Sequence, residues 1–422
     1  MRLALLLCAA MAWAAPAAAQ DFQLERVILL SRHGVRAPTQ PIDELDRIAA
    51  TPWPRWPVAP GELTPRGAEL MRLMGEYYRA LYAGRGVIPA GERCPASGAV
   101  SAWADVSQRT RVSAQALLDG LYPRCGLKAR HQADIARPDP LFHPPRNNPS
   151  CPFDQAEAKA AITARLGDFP SMRRDYAAPL ALTQATLCPP NLAAGKDCGL
   201  HTEPAELADS RDGGVSMRGQ IGTASTAVEI FQLEAAQGMP REQVAWGRLK
   251  DVELVELMSL HVLQFDLMQR TRYVARRQGS RLLATILAAL QDGQAFPGAE
   301  RGAQPTRFAL LVGHDTNIAN VAGLLELGWA IPGMQPDDPS PGGALAFELL
   351  RDLHSGQRYV GVIFHGQTLE QMREGIRLDL DRPAGRSVVQ LPGCKAQAHG
   401  ALCPLPRFLE IAQAAVVPAC AR

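Results

Sequence analysis

The chain has 422 residues, with 44 lysines and arginines against 42 aspartates and glutamates and a formal net charge of +2. So even a balance gives no electrostatic basis for binding nucleic acid or a membrane surface, and any anionic ligand must be held by a local cluster. The length is enough for a large core and for two structural domains.

Residues 1–19 read as a secretory signal peptide: Arg2, an apolar run over 3–15, and Ala17-Ala18-Ala19 as an A-x-A site before Gln20. The run is too short for a membrane span and no stop-transfer pattern follows. Cys8 lies inside this leader, and Leu7 is not the small residue that a lipoprotein cleavage box needs before it. The mature protein is expected to be periplasmic or secreted. It keeps Cys94, Cys125, Cys151, Cys188, Cys198, Cys394, Cys403 and Cys420. An even set in an exported chain implies disulfides, although on the order of a hundred connectivities are possible. Proximity suggests Cys188–Cys198 and Cys394–Cys403, then Cys94–Cys125, with Cys151–Cys420 left over. There is no C-x-x-C and no H-E-x-x-H, so neither a metal nor a redox motif is indicated.

Val27-Ile28-Leu29-Leu30 reads as a buried strand. It leads into Arg32-His33-Gly34-Val35-Arg36-Ala37-Pro38, a basic run whose glycine admits close approach of another group. Taken alone, the run reads equally as an anion site and as a solvated loop. Residues 51–60, rich in proline and tryptophan, are expected to be irregular. Thr64 as N-cap and Pro65 at the first position open a helix with an apolar stripe of Leu70, Leu73, Met74, Tyr77 and Leu81. Residues 99–106 read as a second strand, ending at Asp105 before Arg109-Thr110-Arg111 and a helix with Val112, Ala116 and Leu117 on one face.

From 143 the texture changes to proline, alanine and cysteine, with a helical stretch at 155–166, which indicates an inserted, mainly helical and loop-rich region outside the sheet. Helical periodicity covers 215–236 and 252–289, the latter expected to break near Gly279. Phe308-Ala309-Leu310-Leu311-Val312-Gly313 reads as a buried strand with His314-Asp315-Thr316-Asn317 at its carboxyl end, and further strands are expected at 345–350 and 359–364. Buried strands alternating with helices predict an α/β fold, a central sheet flanked by helices. The expected division is 20–142 and 262–422 for the α/β domain, and 143–261 for a smaller helical domain.

Three strand ends thus carry chemistry: Arg32-His33 with Arg36, Asp105 with Arg109, and His314-Asp315. Ligands of open α/β sheets bind at the carboxyl ends of strands. Arginine forks suit the oxygens of a phosphate monoester. Neutral His33 suits in-line attack on phosphorus, and protonated Asp315 suits proton donation to the leaving alcohol. His131, His143, His201, His261, His354, His365 and His399 show no metal-ligand spacing and read as structural or exposed.

The Arg32–Pro38 run with His314-Asp315 far downstream resembles the histidine acid phosphatase family, and more narrowly its periplasmic bacterial phytase and acid phosphatase branch. Supporting matches run along the mature chain: Leu63-Thr64 with Gly67, Ala104-Asp105-Val106, Arg109-Thr110-Arg111, Gln237-Gly238-Met239-Pro240, Trp246-Gly247, Gln269-Arg270-Thr271, Gly313 to Asn317 and Pro341-Gly342-Gly343. The cysteine spacing fits the same branch. The resemblance implies a phosphoglycerate mutase-like fold with a central mixed sheet and a helical insert. It implies that His33 is phosphorylated and then hydrolysed, that Arg32, Arg36, Arg109 and His314 hold the phosphoryl group, and that Asp315 donates the proton. Thr39, Asp105, Glu229 and Thr316 are the expected substrate contacts. No metal or cofactor is implied, and a monomer acting on a small phosphate monoester is expected. The His314-Asp315-Thr316-Asn317 tetrad and Thr39 resemble the phytase form. Gln40 and Gln278 stand where that form carries outer cations, and Glu229 reads either as projecting into the cleft or as an exposed helix residue. The alternatives are a broad acid phosphatase or glucose-1-phosphatase on this scaffold, a phosphomutase of related fold, and a non-catalytic phosphate-binding protein.

Overall fold

The structure, a computed structural model, describes residues 21–89, 91–192, 198–200, 205–293, 296–298, 304–394 and 401–422. The expected leader, His201 and His399 lie outside the described residues. The described residues form ten strands: β1 (Phe22–Arg32), β2 (Val100–Ala104), β3 (Arg130–His131), β4 (Glu206–Asp209), β5 (Val215–Arg218), β6 (Phe308–Gly313), β7 (Ala344–Asp352), β8 (Arg358–Gly366), β9 (Gly385–Val389) and β10 (Cys403–Pro404). Eight of them form one mixed sheet in the order β10-β8-β7-β1-β6-β2-β3, with β9 also on β8. The β1-β6-β2-β3 run is parallel, whereas β7 joins β1 antiparallel.

The central strands lack polar alternation because both faces are covered. Ile28 and Leu30 of β1, with Ala309 and Leu311 of β6, enter one core. Val27, Leu29, Phe308, Leu310 and Val312 enter the other. The first core is closed by the Arg272–Gln291 and Asp315–Leu325 helices through Leu282, Leu283, Ile286, Ile318 and Val321. The second is closed by the Pro65–Gly84 and Gln108–Leu121 helices through Met71, Met74, Tyr77, Ala114 and Leu117. A third cluster gathers Ala158, Ile162, Phe231 and Leu257 from helices, with Leu45, Ala49 and Trp53 from the segment that follows the basic loop. Trp53 stacks on Phe231 at 5.3 Å between ring centroids. Thr64 caps its helix as expected, its hydroxyl accepting the Gly67 N–H. The disulfides are Cys94–Cys125, Cys151–Cys420, Cys188–Cys198 and Cys394–Cys403, the pairs suggested by proximity.

Three local expectations are corrected. Residues 215–218 form β5, paired antiparallel with β4, and Gly219 at φ 77° separates this strand from the Gln220–Ala236 helix. The 252–289 stretch breaks at 269–271 and not at Gly279, which lies inside the Arg272–Gln291 helix. Gly279 serves packing: a Cβ there would stand 2.9 Å from Leu324 Cδ1 and 3.1 Å from Asn320 Cβ of the neighbouring helix. Val112 is exposed, because Ser113, Ala114 and Leu117 form the inward face of its helix. The helical region also holds sheet of its own, the β4-β5 hairpin.

Candidate active site

Strands β1, β6 and β2 are parallel neighbours that end level, with Arg32 opposite Gly313 and Ala104 opposite Val312. One residue further on, the His33 N–H donates to the Gly313 carbonyl and the Asp105 N–H to the Val312 carbonyl, each at 3.0 Å. His33, Asp105 and His314 therefore leave the sheet at one edge, and the His33 and His314 rings meet edge to face with centroids 5.5 Å apart. Arg109 enters from the first turn of the Gln108–Leu121 helix, and Asp315 is the first residue of the Asp315–Leu325 helix.

The basic loop is held by close backbone approach. A Cβ on Gly67 would stand 2.1 Å from the Val35 carbonyl oxygen, and one on Gly34 would stand 2.8 Å from the Gly67 carbonyl oxygen and from Met71 Cγ. Two glycines thus let the loop lie on the first turn of the Pro65–Gly84 helix. The Ser113 hydroxyl accepts the Gly34 N–H, the Val35 carbonyl accepts the Thr64 N–H, and Arg36 bridges to Leu63.

Hydrogen bonding settles the ring protonation. His33 Nδ1 lies 2.8 Å from the Gly34 carbonyl, which only accepts, so Nδ1 carries the proton and Nε2 the lone pair. Burial, and then the charges of Arg32, His314, Arg109 and Arg36, push His33 well below the usual histidine range and keep it neutral in acid. His314 is set the other way: its Nε2 donates to Asp105 Oδ2 at 2.8 Å, and its Nδ1 accepts from Arg109 Nη2 at 3.3 Å. Burial lowers its pKa against the opposing pull of Asp105.

Arg32, with no exposed surface, donates to the Pro339 carbonyl and pairs with Asp315 at 2.9 Å and with Glu229. Arg36 Nη2 reaches Glu229 Oε1 at 2.9 Å and Oε2 at 3.1 Å. Glu229 projects into the cleft and is held at about 2, since Arg36 and Arg32 outweigh the burial that would raise it. Asp315 is likewise lowered, Arg32 outweighing burial and the repulsion of Glu229. Arg32 Nε and Arg109 Nε are buried donors with no partner among the described residues. The cluster matches a bound anion: its arginines converge, two of their donors are unsatisfied, and a carboxylate occupies the point between Arg32 and Arg36.

The sequence-read residues do not all face that point. Asp105 is fully buried beside His314, accepts from the Ser107 hydroxyl at 2.6 Å, and by accepting from His314 Nε2 orients that ring. A carboxylate facing a phosphoryl group would repel it; one behind the imidazole steadies the ring. Thr39 is exposed at the rim, bonded to the Gln40 amide oxygen at 3.1 Å. Thr316 is half-buried, its N–H donating to Asp315 Oδ1.

His143 was missed by sequence reasoning. Its Nε2 lies 3.5 Å from Asp105 Oδ2 and its ring centroid 5.0 Å from that of His314. Asp139 builds the turn that puts it there, taking the Trp103 indole N–H and the Leu141 N–H on its carboxylate and the His143 N–H on its carbonyl. No local signal marks this residue, because the contact forms only when the loop after β3 folds back over the end of β6. Together, Asp105, His143 and His314 each place one donor atom within 4.8 Å of the others.

The chain is similar to known proteins along most of its length. Residues 23–365 match the model of the histidine phosphatase superfamily (branch 2). The chain is 40% identical over 410 residues to Phytase AppA of Escherichia coli strain K12, covering 95% of this chain and 94% of the relative. It is 30% identical over 393 residues to a glucose-1-phosphatase of Salmonella typhimurium, covering 92% of each. The solved structure of Hafnia alvei phytase in complex with myo-inositol hexakis sulphate superposes with a TM-score of 0.86 at 40% identity, over 96% of this chain and 99% of that one. On this evidence of sequence and fold, the chain belongs to the histidine phosphatase superfamily, branch 2.

Proposed function

We propose that the protein is an exported, periplasmic phosphomonoesterase that hydrolyses phytate and other phosphate monoesters in acid through a phosphohistidine at His33. The observation that carries this reading is the His33 ring itself. Its Nδ1 proton is given to the Gly34 carbonyl, which leaves Nε2 as the nucleophile amid Arg32, Arg36, Arg109 and His314.

An entering phosphoryl group takes over the guanidinium groups of Arg32 and Arg36 and displaces Glu229, a carboxylate already bound there. His33 Nε2 then attacks phosphorus, the P–O ester bond breaks with its electron pair going to the leaving oxygen, and Asp315 gives that oxygen a proton. In the free site Asp315 is ionised by Arg32. A dianion shared with Arg32 neutralises that cation and adds negative charge nearby, so Asp315 takes up a proton in acid. In the second step water attacks phosphorus, Asp315 accepts its proton, and the P–N bond breaks to restore neutral His33. Arg109 stabilises charge on the phosphoryl oxygens throughout, and as it turns from His314 Nδ1 to the phosphoryl group that nitrogen takes up a proton in acid and becomes a second donor.

Phytate is supported by the identity to Phytase AppA and by the likeness to a phytase that holds an inositol hexasulfate. The reading keeps the division at 143–261, with the helical part supplying Glu229, and a monomer. The second reading, a sugar phosphatase, is favoured by Gln40, an uncharged residue at the rim beside Thr39. A substrate panel between about pH 3 and pH 6 decides between them, with at least roughly tenfold higher kcat/KM for phytate than for glucose-1-phosphate expected. The reverse preference refutes the phytate assignment, and inertness toward chromogenic monoesters refutes the enzyme.

A further inference from the structure

We propose that Asp105, His143 and His314 form a binding site for one divalent first-row transition ion of the zinc class, on the side of His314 turned away from Arg109. Two imidazoles and a carboxylate are a donor set such ions select, with positions left for water. His314 Nε2 and His143 Nε2 lie 2.8 Å and 3.5 Å from the same oxygen, Asp105 Oδ2. The three donors stand within 4.8 Å of one another, close to the spacing of roughly 3–4 Å between ligands about 2 Å from a common ion.

A second feature points to the same place. Asp105 has no exposed surface, yet its Oδ1 has no hydrogen-bond partner among the described residues. A buried carboxylate oxygen without a donor is costly, and a cation satisfies it. Access is also provided: the His143 side chain is 44% exposed, whereas those of Asp105 and His314 close the back of the site. Binding replaces the Nε2 hydrogen of His314, the one ring proton moves to Nδ1, and the hydrogen bond that Arg109 Nη2 donates there is given up, so charge and atoms balance without loss of a proton from the neutral ring. The ion therefore reaches the phosphate site only through the His314 ring.

The test is calorimetric titration of untagged full-length protein with zinc chloride at about pH 7. Cobalt(II) absorption serves as the reporter of nitrogen ligation. One equivalent of zinc is expected to bind, weakened at least about tenfold in His143→Ala and unchanged in His354→Ala, an exposed histidine far along the chain. His143→Ala should keep the wild-type melting temperature without metal and lose the zinc-induced rise; His143→Gln serves if the alanine variant does not fold. Absence of zinc binding, or binding equal in both His143 variants and the wild type, overturns the proposal.

Discussion

At the scale of the residue, the account rests on two groups that must hold opposite protonation states in the reacting complex, although both are deprotonated in the free site. His33 is kept neutral as pH falls, because burial and surrounding cations lower its pKa. Asp315 must carry a proton when the leaving group departs, so activity is expected to rise into the acid range and to fall as Asp315 stays ionised. Asp315→Asn should lose about a hundredfold or more in kcat on alkyl phosphates and much less on nitrophenyl phosphate, whose leaving group needs little protonation. Equal losses on both substrates would remove Asp315 from the acid role. The basic run and His314-Asp315 were legible because each follows a strand that reads as buried. His143 was not, since its partner Asp105 is 38 positions away and the contact depends on how one loop folds back. Asp105 was visible, but whether a carboxylate stands in front of a histidine or behind it is a matter of tertiary geometry.

At the scale of the element, the loop that carries His33 is positioned by a helix with a glycine, Gly67, in its first turn. The Gly67 site has no room for a methyl group, and the atom it would strike is the Val35 carbonyl oxygen, part of the backbone between His33 and Arg36. Gly67→Ala is expected to cost roughly 1–3 kcal/mol of stability. It should also lower kcat/KM at least about tenfold by moving the loop. Melting curves and steady-state kinetics check both, and a variant with wild-type values in each would show that the loop does not depend on this approach. Long helices and buried strands were readable from periodicity, down to the cap at Thr64. The short strands β3, β4, β5, β9 and β10 were not, because two to five residues carry too little pattern and are held by their neighbours. Gly279 misled for a related reason: a glycine that admits a neighbouring helix looks, in sequence, like one that ends its own.

At the scale of the whole molecule, the sheet brings together residues almost three hundred positions apart, and its level strand ends are what make a site of them. Buried charge also shapes the response of the whole fold to pH. Glu234, fully buried, is pushed by burial from 4.5 up to about 8, although the Ala245 N–H donates to it. A carboxyl with a raised folded pKa contributes stability that is complete below its unfolded value and is lost as pH rises through the folded one. The fold should therefore weaken between about pH 4.5 and pH 8, by on the order of a few kcal/mol from this group. Glu234→Gln should melt close to the wild type near pH 5 and well above it near pH 8. A constant difference across that range would mean that Glu234 is ionised in the fold. The central claim concerns His33 and is reached by one measurement: rapid quench of turnover on a phosphorus-labelled monoester under alkaline conditions, followed by peptide mapping. The account predicts acid-labile label on the peptide containing His33, absent from His33→Ala together with all turnover. Label on another residue, or turnover surviving in His33→Ala, would contradict it.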